Sequence, residues 1–529
     1  MKPSAIPPLP FIKKLRNYFR EYCVCTSIHG FRYFGEKRTI FERIWWFINF
    51  VICLAACGYF IHAVYQKWDS SPVIVTFATT RTVIFDIPFP SVTICPESKV
   101  VPSIFNYTKV LQKKENWLNV TEAENTNFNY LALLCDPREI DFYFNFTDYE
   151  QTYSDEFFNV INEVKPKFNV QDCRYMGRSR NCKELFTPIL TDEGVCYTFN
   201  MLDRREIFNA EVVHFRNYHH VGRLSHRWSM SNGYAQDAQI RTYPQRALYP
   251  GARNGLTFNI MTKNEDLDYA CTSMQGYKVL LHTPIRLPRP SQQFFQLPLD
   301  QRVVGAIHPI IITTSESVKK FPPEKRECYF PTDRKLKFFK IYSALNCRLE
   351  CLTNYTLKMC RCVNFFMPRE NGTKICGTGN IDCLLYTEAV MQLKHLRSQL
   401  NETKHGKISG SGLDCKCLPI CDDITYEVDV SQSNWDWRKQ IVALGPKYQN
   451  YSTDKIHMST LTLFFEYNSF IRSQRNELYG PTDFLANFGG LLGLFTGFSI
   501  LSLLEIIYFL SVRMICNRYL YGFWAGPQM

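Results

Sequence analysis

The stretch GGLLGLFTGFSILSLLE, residues 489–505, is apolar enough to enter a membrane, yet it carries groups that could handle an ion there. Gly489, Gly493 and Gly497 recur at i, i+4 and i+8, on one helix face, where small residues let helix backbones approach closely. Gly497-Phe498-Ser499, Ser502 and Glu505 carry polar character further along. Glycine exposes backbone carbonyls that can replace part of an ion's hydration shell, and a carboxylate draws cations. An ionised carboxylate in mid-membrane costs on the order of 3 kcal/mol or more without a partner or water. Neither apolar segment of the chain holds a Lys or Arg to pair with Glu505, so water in a lumen is the simplest relief. Two readings follow: the glycine stripe suits helix packing, and Gly497–Ser499 with Glu505 suits a polar path. An enzyme does not fit, because the G-x-S-x-G pattern fails at Leu501 and the chain has no P-loop or zinc-protease motif.

The elements that must position these residues are two apolar spans. Ile44–Tyr65 has no Lys, Arg, Asp or Glu, and its 22 residues are long enough to cross a hydrocarbon core of about 30 Å. The second span is expected over 484–512, with Glu505 as its only charge. Trp45, Trp46, Tyr65 and Trp68 sit near the ends of the first, where amphipathic rings prefer the interface. A cleaved signal peptide is a poor fit, because 43 residues precede the first span.

Charge, sequons and cysteines orient the spans. The net charge is +12, and residues 1–43 supply +6 of it, nine Lys/Arg against Glu21, Glu36 and Glu42. Such a flank suits the cytosolic side of a bilayer better than a groove for nucleic acid. All seven N-x-S/T sequons, at Asn106, Asn119, Asn145, Asn354, Asn371, Asn401 and Asn450, lie between the spans. So do 16 of the 21 cysteines, an even number that suits pairing in an oxidising compartment. The expected order is therefore a cytoplasmic N-terminus over 1–43, a span over 44–65, an extracellular domain over 66–483, a pore-lining span over 484–512 and a cytoplasmic C-terminus over 513–529.

Within the outer region Val73–Phe77, Val83–Phe85, Val279–Leu281, Val303–Ile312, Tyr426–Val430 and Leu461–Tyr467 read as strands, with a break expected at His308–Pro309. Residues 335–363 read as helical, and 100–270 show no clean period. The class is α+β. The histidines of HFRNYHHVGRLSH (His214, His219, His220, His226) read as a solvated polar loop, since no ligand spacing on a defined element supports a metal or proton site. Cysteines cluster as Cys347-x3-Cys351-x8-Cys360-x-Cys362, Cys376-x6-Cys383 and Cys415-x-Cys417-x3-Cys421. Matched C-x2-C pairs with histidines are missing, so structural zinc is a weak reading. Cys347 and Cys351 share a helix face, and each can bridge to the C-x-C of a neighbouring segment as a ladder.

Several separated motifs then resemble one family: Ser27-Ile28-His29-Gly30 before the first span, FPSVTIC at 89–95, GVCYTFN at 194–200, the cysteine ladder, and GLFTGFSILSLLE at 493–505. Together they resemble the degenerin/epithelial sodium channels and acid-sensing channels, most closely the insect pickpocket-type members. The resemblance implies a trimeric pore, each subunit giving two helices and a hand-and-ball outer domain with a thumb over about 328–421. It implies disulfides Cys95–Cys196, Cys173–Cys182, Cys328–Cys421, Cys347–Cys417, Cys351–Cys415, Cys360–Cys383 and Cys362–Cys376, leaving Cys135 and Cys271 to pair by elimination. Gly497, Phe498 and Ser499 fall at the family's selectivity filter, where the helix is interrupted and the middle residue is usually small. Ala486 falls at the site where bulky side chains lock family channels open, and Asn487, Gly490, Gly493, Ser502 and Glu505 fall along the pore and gate. His29 and Gly30 fall at the gating motif.

What the resemblance implies is a sodium-selective, amiloride-sensitive channel subunit in the plasma membrane, with no cofactor and Na+ as the permeant ion. Its partners would be the lipid bilayer, related subunits in a homo- or heterotrimer, and an extracellular ligand as one candidate stimulus. The alternative is a non-conducting or modulatory glycosylated receptor subunit, which would need neither Glu505 nor an interrupted filter. One departure concerns the stimulus. Acid-sensing relatives carry a Trp just before the cysteine matched by Cys328, and here the stretch is PPEKREC, with Lys325 and Arg326.

Overall fold

The computed structural model describes residues 11–135, 151–213, 218–405, 415–445 and 455–526. Asn145, Asn450 and His214 lie outside the described residues, as does the side chain of Asn401. The chain forms two compact units, one of residues 75–314 and 322–475, the other of residues 1–74, 315–321 and 476–529.

Among the described residues the larger unit is built on two main sheets, beside two small two-stranded ones. One has eight strands, in the order Val73–Val83, Ser469–Glu477, Gln301–Thr314, Ile456–Phe465, Leu256–Lys263, Val170–Tyr175 and Arg178–Ser179, with Asp423–Asn434 also paired to Gln301–Thr314. The other has five, ordered Phe295–Leu297, Tyr277–His282, Ser91–Pro96, Gly194–Phe199 and Phe186–Thr191. Two motifs that stand 100 residues apart in sequence are thus neighbours: Val92, Thr93 and Ile94 of FPSVTIC face Phe199, Thr198 and Tyr197 of GVCYTFN, and Cys95–Cys196 staples them. Their polar side chains are buried but satisfied, as burial requires. Ser91 Oγ donates to Asn200 O at 2.9 Å, and Thr93 Oγ1 donates to Thr198 Oγ1 at 3.2 Å. An aromatic core beside these strands centres on Phe89, whose ring lies 5.4 Å from Phe465 and 5.5 Å from Tyr175.

Pro309 does not break its strand. Gln301–Thr314 runs through it, paired along its length with Asp423–Asn434. Along its other edge it pairs with Ile456–Phe465 over 302–307 and with Ser469–Glu477 over 312–314. Pro309 falls in the gap between those partners, where a missing N–H costs no ladder bond. The expected strand Val83–Phe85 is met only at Val83, the last residue of Val73–Val83. Ile84–Asp86 is a 3-10 turn anchored by Ile84 N to Asn468 O at 3.0 Å, which buries Ile84. Leu461–Tyr467 ends at Phe465, and a further strand, Ser469–Glu477, precedes the second membrane segment.

The expected helix over 335–363 covers only Ala344–Cys360. The Glu350 carboxylate accepts from Lys337 N and Phe338 N at 2.9 and 2.8 Å, holding that stretch extended, and Ser343 caps the helix by accepting from Asn346 N at 3.1 Å. Cys347 and Cys351 bond to Cys417 and Cys415, and the helix is also tied through Cys360–Cys383 to the helix Ile381–His405. Four further disulfides are Cys135–Cys271, Cys173–Cys182, Cys328–Cys421 and Cys362–Cys376. The histidine stretch is not a uniformly solvated loop: His219 is fully buried, while His220 and His226 are exposed. Arg326 is buried too, its guanidinium paired with Asp333 and 4.6 Å from the Phe330 ring centroid, with Nε donating to Cys328 O at 3.0 Å.

The smaller unit holds the membrane segments. Its first long helix, Ile40–Ser70, opens with a capping box between Thr39 and Glu42. Pro481–Thr496, Ile500–Leu510 and Val512–Tyr521 form the second region. By length and apolarity, Ile40–Ser70 and Ile500–Tyr521 could each cross a bilayer. An N-terminal helix, Phe11–Cys25, belongs to the same unit.

Candidate functional site

The second membrane region is interrupted at Gly497–Ser499, and local hydrogen bonding shows how. Pro481–Thr496 starts on Gly480, whose N–H donates to Asp483 Oδ2 at 3.1 Å. It ends at Gly497, which has φ +65° and donates its N–H to Gly493 O at 2.9 Å. The next two amides leave the ladder. Phe498 N donates to Thr496 Oγ1 at 3.3 Å, and Ser499 N donates to Ser502 Oγ at 3.0 Å. The carbonyls of Leu494 and Phe495 therefore lose their i+4 donors. Ser499 is extended and caps Ile500–Leu510 by accepting from Ser502 N at 3.2 Å. Small hydroxylated residues thus replace the helix ladder for one turn, in an otherwise apolar segment.

The segment Thr26–Gly30 packs against this interruption. His29 N donates to Thr496 O at 2.9 Å, taking one of the carbonyls freed at the helix end. A Cβ on Gly497 would stand 2.6–2.8 Å from the His29 ring, so position 497 excludes a side chain by space as well as by its left-handed backbone. Glu505 accepts from Ser27 N at 3.1 Å, Thr26 Oγ1 at 3.2 Å and Ser27 Oγ at 3.3 Å. Ser27 Oγ also shares a 2.7 Å hydrogen bond with Ser502 Oγ, and Ser502 is fully buried. Sequence reasoning offered water as the relief for Glu505. The structure supplies neutral donors from the chain's own N-terminal segment.

That segment is held by its neighbours. Gly30 takes φ +85° and opens the short helix Phe31–Gly35, and Tyr33 stacks on Trp46 with centroids 4.1 Å apart. Tyr18 hydrogen-bonds through its hydroxyl to the Phe509 carbonyl, and Glu21 pairs with Arg513. Thr26, Tyr18 and Glu21 were missed by sequence reasoning. The available signal was a polar TSIHG run before the first apolar segment and a carboxylate in the second with no Lys or Arg to pair it.

The remaining sequence-predicted positions lie along Pro481–Thr496. Ala486, Asn487 and Gly490 are exposed, and Gly493 is half-buried. Asn487 Nδ2 donates to Asp483 O at 2.8 Å. A Cβ added at Gly489, Gly490 or Gly493 would meet nothing within 4 Å. Within one chain the glycine stripe therefore packs against no helix. The first long helix meets this region through rings instead, Phe60 with Phe495 at 5.8 Å and Trp68 with Phe484 at 5.6 Å.

The model of the amiloride-sensitive sodium channel family matches residues 22–509, from the N-terminal segment through the interrupted helix to Phe509. The chain belongs to that family. It is 29% identical to Pickpocket protein 28 of Drosophila melanogaster over 510 residues, covering 94% of this chain and 78% of that one. It is 25% identical over 533 residues to the Drosophila melanogaster sodium channel protein Nach, covering 96% of this chain and 89% of the relative. The human bile acid-sensitive ion channel is 22% identical over 546 residues, covering 97% and 90%. As a family member the protein is a membrane channel subunit, not an enzyme. Its two long apolar helices fit two spans.

Proposed function

We propose that the protein is a subunit of a sodium-selective, amiloride-sensitive trimeric channel that conducts past Gly497-Phe498-Ser499. The observation that carries this reading is the interrupted helix. It releases backbone carbonyls at 494–495 inside an apolar segment, which is the chemistry needed to replace part of a cation's water shell. The bare glycine face at 489–493 supports assembly, because a second and third copy would cover it or leave it lining a lumen. Phe498 is the bulky residue of that tract, so it sets the width of the path in each subunit.

Gating follows from the same parts. A stimulus reaching the outer unit strains the short chain links at 71–72 and 478–480 that run from its strands to the membrane helices. The second helices shift around Ala486–Gly490. The Ser27–Glu505 and His29–Thr496 bonds hold one arrangement of the lower helix and are exchanged on opening. The extracellular loop carries the sequons, and both termini are cytoplasmic. The deciding experiment is expression in oocytes, alone and with related subunits, followed by reversal potentials in sodium and potassium and block by amiloride. Ala486→Val should raise resting sodium current. A subunit that reaches the surface, assembles with partners and never alters the permeability of the resulting channel would be modulatory instead.

A further inference from the structure

The link between the helices Tyr107–Glu115 and Glu122–Ala132 breaks two local rules at one residue. Trp117 is 95% exposed, and no other large apolar side chain among the described residues is more so. It also has φ +54°, a left-handed backbone that a bulky residue rarely takes. The hydrogen bonds say why the backbone turns there. Trp117 N donates to Lys114 O at 3.2 Å and Leu118 N to Lys113 O at 2.8 Å, a Schellman motif with Trp117 at the position that normally holds glycine. Glycine would suit the turn better, and any polar residue would suit the solvent better. A tryptophan there is accounted for if something covers the ring.

The candidate cover is two residues away. Asn119-Val120-Thr121 is a complete sequon, and Asn119 is exposed. Its side chain starts within about 7 Å of chain from the indole. Both ends of the link are fixed. Thr121 caps the next helix, accepting from Glu124 N at 3.3 Å while Thr121 N donates to Glu124 Oε2 at 3.0 Å. Lys113 and Glu124 pair at 2.7 Å across the two helices. Asn119 thus stands two residues from the ring on a link fixed at both ends rather than on a loose loop. At the corresponding place before Asn106, Asn354 and Asn371 stand Ile104, Leu352 and Arg369, none of them aromatic and the last two buried. In the sequence the same aromatic-x-Asn pattern recurs at Tyr143 before Asn145 and Tyr448 before Asn450, outside the described residues.

We propose that Asn119 carries an N-linked glycan whose first N-acetylglucosamine lies on the indole of Trp117 and locks the 116–121 link. The sugar's axial C–H groups carry partial positive charge, and the ring face carries the complementary negative quadrupole. The contact removes apolar area on both partners from water, which neither the bare ring nor the bare glycan achieves alone. The proposal rests on one part of the reading above, that this loop passes through the secretory lumen.

The test uses the full-length protein from glycosylating cells. Glycopeptide mass spectrometry reads occupancy at each sequon, and hydrogen exchange reads the peptide around 112–124 in wild type, Asn119→Gln, Trp117→Gly and the double variant. Asn119 should be occupied, and its removal should speed exchange at 116–121 about threefold, the size of an aromatic contact. Trp117→Gly should speed exchange when the glycan is present. In the Asn119→Gln background it should slow exchange or leave it unchanged, because glycine fits the left-handed turn. Trimming the glycan to its first sugar should preserve the protection. The proposal is overturned if Trp117→Gly acts alike in both backgrounds, if trimming equals removal, or if Asn119 is bare while Asn106, Asn354 or Asn371 is occupied. A loop with no occupied sequon would overturn the lumenal reading as well.

Discussion

The two units of this chain are held together by different chemistry. The outer unit contains eight disulfides and a dense aromatic core. The membrane unit has five free cysteines and no disulfide among its described residues. Its N-terminal segment and second helix are joined instead by a few hydrogen bonds, one ion pair and ring contacts. Covalent links spanning up to 136 residues hold a shape whatever the load. Hydrogen bonds in a small polar cluster are each worth roughly 1 kcal/mol, more to a charged group, and can be exchanged for others within a gating cycle. In the proposed gating, the difference separates a lever that must not deform from a latch that must let go.

The largest effect expected from breaking this contrast is covalent. Replacing both Cys328 and Cys421 by serine opens a link across 93 residues, which costs about 4.6 kcal/mol in the chain-entropy account. Surface biotinylation should show most of the protein lost, whereas Cys25→Ser with Cys516→Ser, both free and exposed, should leave surface amounts unchanged. If the two pairs behaved alike, the contrast would fail.

Next in size is the latch itself. Gly497→Ala combines a left-handed alanine, about 1–2 kcal/mol, with overlap of the His29 ring, about 1–3 kcal/mol. Together these disfavour the latched arrangement by about 2–5 kcal/mol, which predicts a gating equilibrium moved towards opening by at least about 30-fold, read as raised resting current per surface channel, since each 1.4 kcal/mol is about tenfold. Wild-type current in Gly497→Ala would remove His29 from the latch. Ser27→Ala deletes one hydroxyl shared by Glu505 and Ser502. It should shift the midpoint of gating by about three- to tenfold in stimulus. Paired with Glu505→Gln the two effects should not add, because both remove the same contact. Additive shifts would place Ser27 and Glu505 in separate roles.

The smallest effect is a pH dependence confined to the outer unit. Burial pushes the imidazole of His282 down to about 4 and that of His219 to about 3, with Asp203 opposing the shift at His219. Both rings are therefore neutral in the folded protein where the unfolded chain, titrating near 6.5, already binds protons. Their contribution is intact above about pH 6.5 and falls as the pH drops towards the folded values. The melting temperature of the purified protein should decline between about pH 6.5 and 5, and His282→Gln should flatten that slope. An unchanged slope would mean that another group sets the acid response.

Legibility in the sequence differed between the units for the same physical reasons. The spans were readable because a charge-free apolar run as long as a bilayer is thick is rarely tolerated in water. The strand 423–434 was found in its centre and 456–465 in its second half, and both were misjudged at their ends. Pro309 read as a break because its tolerance depends on which partner lies beside it. The helix at 344–360 was overextended because Glu350 holds 337–338 from outside the local pattern. His219 looked like part of a polar loop, and only packing shows that it is buried.

By itself the sequence determined the order of spans and outer region, the α+β class, and the kinship carried by short motifs at fixed order. Those features depend on residue type and spacing along the chain. Tertiary structure alone decided what Glu505 bonds to, why Gly497 admits no side chain, and that FPSVTIC and GVCYTFN lie side by side. Each of these joins residues between about 100 and 480 positions apart. Local propensity carries no information about such meetings, because they are set by which surfaces the folded chain brings together.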